Sequence, residues 1–517
     1  MKKIVLGAVA LFSFSNILCA GQSQTAPWWQ SKVTYEIFVR SFQDSNGDGV
    51  GDLDGITSRL DYLQNLGIGA LWLTPIFESP SYHGYDASNF LAINKDFGDD
   101  AALQRLLKSA HSRSMKVILD LAVNHTSSQH PWFLSSSSAE TSPYRDYYVW
   151  SPTPLHWSAL GQDPEKHWHL LNGEYYYSFF SPSLPDLNWT NEEVKNEITQ
   201  IFLHWTNEGV DGFRLDAARF LVEGPNGESD TPATHAVWKG IVSAVKRVNP
   251  NAYFVGEVWA DAPTIESYYG NGDELTAAFN FPVSFGIVNS LSSETGNPYL
   301  SALASVEKSV KPTSFAAPFL TNHDMVRAAS TLGNNLAKLK LAALAYLSLP
   351  GTPFVYYGEE LGLPNGNLKG DLAKRTPMPW DSSALHGFTS HHSAWESFAP
   401  TQSGLNVEDE SVDPQSLLNT YKTLIALRNS NEVLQGGAFQ NLSQAAQVVS
   451  FIRQKDNKSV LIVLNFQNKN YPIFNFNFNS QFKLAKILYG DSTISFQNNV
   501  LTLHNLAPFG GCIIELD

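Results

Sequence analysis

Asp211-Gly212-Phe213-Arg214-Leu215-Asp216, running on into Ala217-Ala218-Arg219-Phe220, is the stretch whose reading decides the fold. In an extended segment alternate side chains share a face, so Arg214 and Asp216 point one way and Phe213 and Leu215 the other. Apolar residues outward and an Arg/Asp pair inward suit a barrel strand wrapped by helices. The pair closes the strand, and in parallel α/β barrels the strand ends form the catalytic rim. A guanidinium two residues from a carboxylate is expected to keep it ionised and lower its pKa, as a carboxylate nucleophile requires. One such pair alone reads equally well as a buried ion pair joining strands. The rest of the chain separates the two.

Upstream, residues 33–39 have the β-branched and aromatic content of a strand, residues 60–66 have helical spacing and stop at Gly67, and residues 70–75 form a second strand. A helix with Leu103, Leu106, Leu107 and Ala110 on one face leads to a third strand at 116–123, ending in Asn124-His125. The rhythm breaks from Thr126 to Trp189, a gap long enough to be an inserted subdomain. Thr190 with Glu193 forms a capping box for the helix entering the Arg214 strand. Alternation resumes at 253–259, weakly near 277–281, then at 317–324 and 353–360. Eight strands, most followed by a helix, make a TIM barrel of the α/β class. Short alternating runs beyond Gly436-Gly437 predict a small antiparallel β domain. The expected layout is an export signal over 1–20, barrel over 27–126 and 190–435, insert over 127–189, and β domain over 436–517.

The chain of 517 residues is 43% hydrophobic and 16% charged, with formal charge −15, which disfavours nucleic acid and anionic membranes as partners. Met1-Lys2-Lys3 and the apolar run 4–14, then Leu18-Cys19-Ala20, read as a bacterial-type export signal cut near Ala20, giving a secreted or periplasmic protein. Cleavage leaves Cys512 alone, so no internal disulfide is expected. A metal clamp is more plausible. Asp44, Asn46, Asp48, the Val50 carbonyl and Asp52 have the alternating oxygen spacing of a Ca2+ loop, although the twelfth position is Gly55 and the flank is a strand.

Polar or ionisable groups close strand after strand: Asp120, Asn124 and His125; Arg214 and Asp216; Glu257; His323 and Asp324. A carboxylate ending an apolar strand is costly unless paired or used. Several acids on one rim, with histidines and few lysines, fit glycosidic bond cleavage. No phosphate-binding loop, zinc-protease helix or nucleophile elbow occurs. The segments Asp120-Leu-Ala-Val-Asn-His125, Gly212-Phe-Arg-Leu-Asp216, Val255-Gly-Glu257-Val-Trp and Phe319-Leu-Thr-Asn-His-Asp324 stand in the order of the α-amylase family of glycoside hydrolases, which the chain resembles over nearly its whole mature length.

That resemblance implies a retaining hydrolase of α-1,4-glucans or maltooligosaccharides, with an α-glucosidase or 4-α-glucanotransferase as close alternatives and a non-catalytic sugar-binding relative as a distant one. It implies Asp216 as nucleophile, Glu257 as acid/base and Asp324 as the carboxylate gripping the distorted sugar. Arg214 would orient Asp216, His125 and His323 would bond the sugar, Tyr85 would stack under it and Asp86 would touch its hydroxyls. Asp120 reads as a structural partner. Glu257 needs a raised pKa, from apolar neighbours such as Trp259 or from nearby carboxylates. Asn124 matches a residue that holds a second calcium in many relatives. The α-1,6-cleaving members resemble Asp-Val at the nucleophile, and here Ala217 follows Asp216; Arg219-Phe220 replaces a common Lys-His. The 375–380 stretch resembles one in oligosaccharide-acting members, and Arg375 is expected to pair with Asp86, wall off one side of the cleavage subsite and favour attack from chain ends, whereas pairing with a remote acid would leave the cleft open to mid-chain attack.

Overall fold

The structure, a computed structural model, describes residues 27–157, 164–224, 229–309, 315–400, 403–443, 446–478, 482 and 484–517. The export signal read at 1–20, with Cys19, lies outside the described residues. Among these residues no helix is long and apolar enough to cross a membrane.

Eight parallel strands form one sheet: β1 (Thr34–Ile37), β2 (Ala70–Leu73), β3 (Lys116–Leu121), β4 (Gly212–Leu215), β5 (Tyr253–Gly256), β6 (Ala277–Phe279), β7 (Phe315–Ala317) and β8 (Phe354–Tyr356). They run in sequence order, and β8 pairs with β1 through Thr34 opposite Phe354. Closure between β7 and β8 is made by Thr352 N–H to Ala316 O at 3.0 Å, Phe354 N–H to Pro318 O at 2.9 Å and a parallel bridge between Phe319 and Phe354. The sheet is therefore a TIM-type barrel, as the alternation of strands and helices predicts.

The strand pleat sorts the side chains. Phe213 of β4 points outward onto Phe202 of the helix Glu192–Asn207, with ring centroids 4.8 Å apart. Inward, Trp72, Ile118, Val255, Phe279 and Phe354 fill the barrel. Its aromatic members interlock, Trp72 with Phe279 at 5.3 Å and Phe279 with Phe354 at 4.9 Å. This packed layer leaves only the rim above it free for chemistry. The helix Glu192–Asn207 is capped by Asn191, whose side chain accepts from Glu193 N–H, and not by Thr190. Thr190 instead turns its hydroxyl to Asn188 Oδ1 at 2.6 Å. The helix begins one residue later than a Thr190 cap requires, which puts Glu193 at the second helical position and not the third, so the capping box does not form.

The insert carries the helix Pro131–Ser138 and a three-stranded antiparallel sheet, and returns to the rim through a bridge between His125 and Asp186. The C-terminal residues build a five-stranded and a three-stranded antiparallel sheet, with Cys512 buried in their shared core. Two buried arginines fasten this β unit and the last barrel helix to the β8 side. Arg453 donates to Ser348 O at 2.8 Å, and Arg428 to the carbonyls of Leu347, Leu349 and Gly351.

Gly351 is where closure is most demanding. Its φ is +100°, and a Cβ there would sit 1.9 Å from Ala316 O on β7. Gly351→Ala should therefore cost about 1–3 kcal/mol or more, since strain and clash coincide. Denaturant unfolding measures this; an unchanged midpoint would show that the β7–β8 seam relaxes around a methyl group.

Candidate active site

Register brings the strand-end acids together. Asp120 on β3 stands opposite Arg214 on β4, and Val255 on β5 stands opposite Arg214 from the other side. The ladder continues past the strands, with Asp216 N–H on Leu121 O at 3.2 Å and Glu257 N–H on Leu215 O at 2.9 Å. Asp216 and Glu257 thus sit one layer above Arg214 on adjacent strands.

Arg214 is fully buried and touches three carboxylates. Its Nη1 donates to Asp120 Oδ1 at 2.9 Å and to Asp216 Oδ1 at 2.6 Å, and its Nη2 lies 2.9 Å from Glu257 Oε2 in an ion-pair contact without hydrogen-bond alignment. Asp120 is saturated, accepting also from Trp72 Nε1 at 3.1 Å and Tyr85 OH at 2.9 Å. That is the arrangement of a structural partner. Glu257 accepts from Ala217 N–H at 3.2 Å.

On the other side His323 bridges two acids, Nδ1 to Glu36 Oε1 at 2.6 Å and Nε2 to Asp324 Oδ2 at 3.1 Å. Its Nε2 also meets Tyr85 OH at 2.7 Å, and the Tyr85 ring stacks on the imidazole at 5.3 Å. Arg375 completes Asp324, donating from Nη2 to Oδ1 at 2.8 Å, with Asp371 Oδ2 3.5 Å from the same nitrogen.

Burial is the largest influence on Asp216 and pushes its carboxyl up to about 6, although Arg214 pulls it down. The expectation of a lowered pKa is thus reversed, because removal from water outweighs the guanidinium. Glu257 rises further, to about 7, through burial first and then the charges of Asp216 and Asp324, again against Arg214. Trp259 lines the same pocket as Glu257 but is 45% exposed and stacks on Phe281 at 4.6 Å. Burial would lower His323, yet Asp324 and Glu36 lift it to about 10, so the imidazole is charged at neutral pH. Burial would raise Asp324, but His323 and Arg375 hold its carboxyl well below the usual range. Burial lowers His125 to about 4 and keeps it neutral.

A pocket of about 380 Å3 gathers Tyr85, His125, Asp216, Glu257, Asp324 and Arg375, with an apolar part formed by Phe180, Phe220 and Trp259. Asp86 is not on its wall. It is buried, and its Oδ1 accepts from the hydroxyls of Ser79 and Ser81. The expected Arg375–Asp86 pair does not form, because Arg375 meets Asp324, Asp371 and the Tyr82 hydroxyl first. Asn124 spends its amide on Phe220 O at 2.6 Å and Asp186 Oδ2 at 3.2 Å, and its Oδ1 on His125 Nδ1 at 3.0 Å. Sequence reasoning missed Glu36, Tyr82 and Asp371. Only Glu36 carried a signal, as an acid inside an otherwise apolar strand.

A carboxylate pair in a walled pocket at the carboxyl end of a parallel barrel suits glycosidic bond cleavage, and likeness to known proteins specifies the family. Residues 36–437 match the α-amylase catalytic domain. The chain is 37% identical to α-amylase 3 of Dictyoglomus thermophilum, covering 98% of each. It is 31% identical to a glucan 1,6-α-glucosidase of Streptococcus pneumoniae, over 95% of this chain and 99% of that one. The crystal structure of the α-amylase from H. orenii matches with a TM-score of 0.81 at 32% identity, over 94% of this chain and 99% of that chain. The protein belongs to the α-amylase family of glycoside hydrolases, which are retaining enzymes.

A retaining glycosidase needs one proton shared between its two carboxyl groups. With Asp216 and Glu257 pushed up to about 6 and about 7, kcat/KM should rise with pH as the pair loses its first proton and fall as it loses the second. The pH–rate profile should be a narrow bell centred between these values. A flat profile from pH 5 to about 9 would show that this pair does not govern turnover.

Proposed function

We propose that the protein is an α-glucosidase-type oligosaccharide hydrolase that releases glucose from the ends of short α-1,4-linked gluco-oligosaccharides with retention of configuration. The observation that carries this reading is the pocket. Three acids meet in about 380 Å3, with Arg375, Asp371 and His83 on the same wall and Arg375 bound to both Asp324 and Asp371. Such a volume lies at the small end of ligand sites and suits a few sugar rings more than a polymer groove. The likeness to a glucan 1,6-α-glucosidase supports a glucosidase, while Ala217 at the position where α-1,6-cleaving members resemble Val supports the α-1,4 linkage.

In this mechanism Asp216, ionised and held by Arg214, attacks the anomeric carbon while Glu257 gives its proton to the leaving oxygen. Glu257 then takes a proton from water, which cleaves the glycosyl–Asp216 bond. Asp324, anchored by His323 and Arg375, grips hydroxyls of the distorted sugar, and His125 lines the same pocket; His323, expected to bond the sugar, is instead fully buried behind Tyr85 and Asp324 and acts through them. The test is a substrate panel. Maltose and maltotriose should give higher kcat/KM than isomaltose and soluble starch, with glucose as the first product. Early release of mixed maltooligosaccharides from starch would establish mid-chain attack, and a preference for isomaltose would overturn the linkage.

We also propose that the chain is exported, on the strength of its first 20 residues, and that residues 44–52 hold Ca2+. The donor types suit a hard cation, but among the described residues the loop does not draw three acids together: Asp44 Oδ2 accepts from Gly49 N–H and the Thr389 hydroxyl, and Asp52 from Ser45 N–H and Gly55 N–H, so binding would have to turn these oxygens toward the ion. Asp44 and Asp52 are 5% and 3% exposed, and among the described residues no Lys, Arg or His side chain pairs with either. Asx turns organise the loop: Asp44 Oδ1 accepts from Asn46 and Gly47 N–H, and Asp48 Oδ1 from Val50 N–H. Asp44, Asn46, Asp48, Asp52 and the Val50 carbonyl would hold the ion, whose charge would offset the two buried carboxylates. Chelator should lower the melting temperature and added Ca2+ restore it, since a ligand bound only by the native state stabilises it. An Asp48→Ala variant should lose that response, and a wild-type melting curve indifferent to both additions would refute the site.

A further inference from the structure

Trp395 lies outside the pocket, yet two separate contacts run from its ring to Arg375. The indole Nε1–H donates to Ser41 Oγ at 3.1 Å, and Ser41 Oγ donates in turn to the Arg375 carbonyl at 2.5 Å. The indole face stacks on Tyr82 at 5.7 Å and 26°, and the Tyr82 hydroxyl stands 3.4 Å from Arg375 Nη1. The Arg375 guanidinium is itself held among aromatic rings, 5.4 Å from the centroid of Phe38 and 5.7 Å from that of Tyr82. The backbone of Trp395 is pinned, its N–H donating to Gly49 O at 2.8 Å. One residue therefore braces both the main chain and the side chain of the arginine that grips Asp324 Oδ1 at 2.8 Å.

We infer that Trp395 is a positioning residue for the reaction, fixing Arg375 through Ser41 and Tyr82 and thereby the orientation of the Asp324 carboxylate. The inference rests on the reading of Asp324 as the group that grips the distorted sugar. Asp324 has two anchors, and His323 on Oδ2 fixes only one of its oxygens. An Asp324 free to swing about that single contact would still meet substrate in the ground state but would be misplaced for the transition state. Such a loss lowers kcat and leaves KM nearly unchanged. A merely structural tryptophan would instead lower the melting temperature and leave the kinetics of the folded fraction intact.

Ser41→Ala and Trp395→Phe each break the Ser41 relay while leaving a ring or a small side chain in place, so both should fold. Each variant is made in the wild type and in the Asp324→Asn background, and kcat, KM and melting temperature are measured with an aryl α-glucoside. In the wild-type background kcat should fall about tenfold, with KM within about twofold and the melting temperature nearly unchanged. In the Asp324→Asn background, where kcat is already far lower, the same substitutions should have less than about a twofold further effect, because they act through Asp324. Unchanged kcat in the wild-type background overturns the inference, as does an equal loss in both backgrounds. If Asp324→Asn alone keeps wild-type turnover, the catalytic reading of Asp324 falls first, and the positioning role falls with it.

Discussion

One guanidinium, that of Arg214, is shared by three carboxylates in a place with no water to help. Asp120 and Asp216 bond to its Nη1 and Glu257 lies against its Nη2. Burying a charge this deeply is tolerable only when it is fully compensated. Here the compensation is excessive. Glu36, Asp120, Asp216, Glu257 and Asp324 outnumber the cations Arg214, His323 and Arg375 that touch them. A buried cluster with more acids than cations relieves itself by keeping a proton, and the acid that keeps it most tightly is the one with the weakest hold on a cation. That acid is Glu257, whose contact with Arg214 is unaligned and whose hydrogen bond to Ala217 N–H is long. A protonated Glu257 beside a more readily ionised Asp216 follows from this unequal sharing, without a dedicated group to raise the one or lower the other.

The sharing works only because β3, β4 and β5 keep their register. A shift of one residue in β4 would carry Arg214 to the outer face and set Phe213 or Leu215 against Asp120. The packed aromatic layer beneath the rim supplies the resistance, since Trp72 touches both the Arg214 guanidinium, at 5.1 Å, and the Asp120 carboxylate. The same indole thus belongs to the barrel core and to the charge network, and the two cannot be adjusted independently. His323 plays the matching part opposite. Its imidazolium is pinned between Glu36 from β1 and Asp324 from the loop after β7, so it also spans the region where the barrel closes.

What could be read from the chain divides along physical lines. The barrel and the acids on β3, β4, β5 and after β7 were legible because strand alternation is local: the side chain at each position faces in or out by parity alone. Arg214 with Asp216 is the clearest instance, two residues apart on one strand. The partner of Arg375 was not legible, since loop side chains are placed by contacts distant in sequence, and Asp324, Asp371 and Tyr82 lay nearer than Asp86. Asp216 shows a different limit. The sign of the Arg214 effect was right, but burial depth is a property of the assembled barrel, and depth won. The cap of Glu192–Asn207 was misread for the opposite reason: Asn191 and Thr190 are adjacent and both can cap, so local chemistry left two answers.

Ala217 shows how the site uses a local cost. Its φ is +46°, in the left-handed region where a side chain is disfavoured by about 1–2 kcal/mol. Glycine would remove that cost, so the methyl group has to be explained by something other than backbone comfort. The left-handed turn stops β4 abruptly and swings the Ala217 N–H toward Glu257, giving the acid a hydrogen-bonded backbone amide. It also brings Ala217 onto the pocket wall beside Phe220. A glycine could make the turn but would loosen it, and both Asp216 and the amide that faces Glu257 depend on its angle. A larger or β-branched residue would have to accept the same φ at greater strain while filling space beside the cleaved bond. Alanine is the smallest side chain that keeps the turn defined, which ties the geometry of the carboxylate pair and the room left for a sugar to one residue.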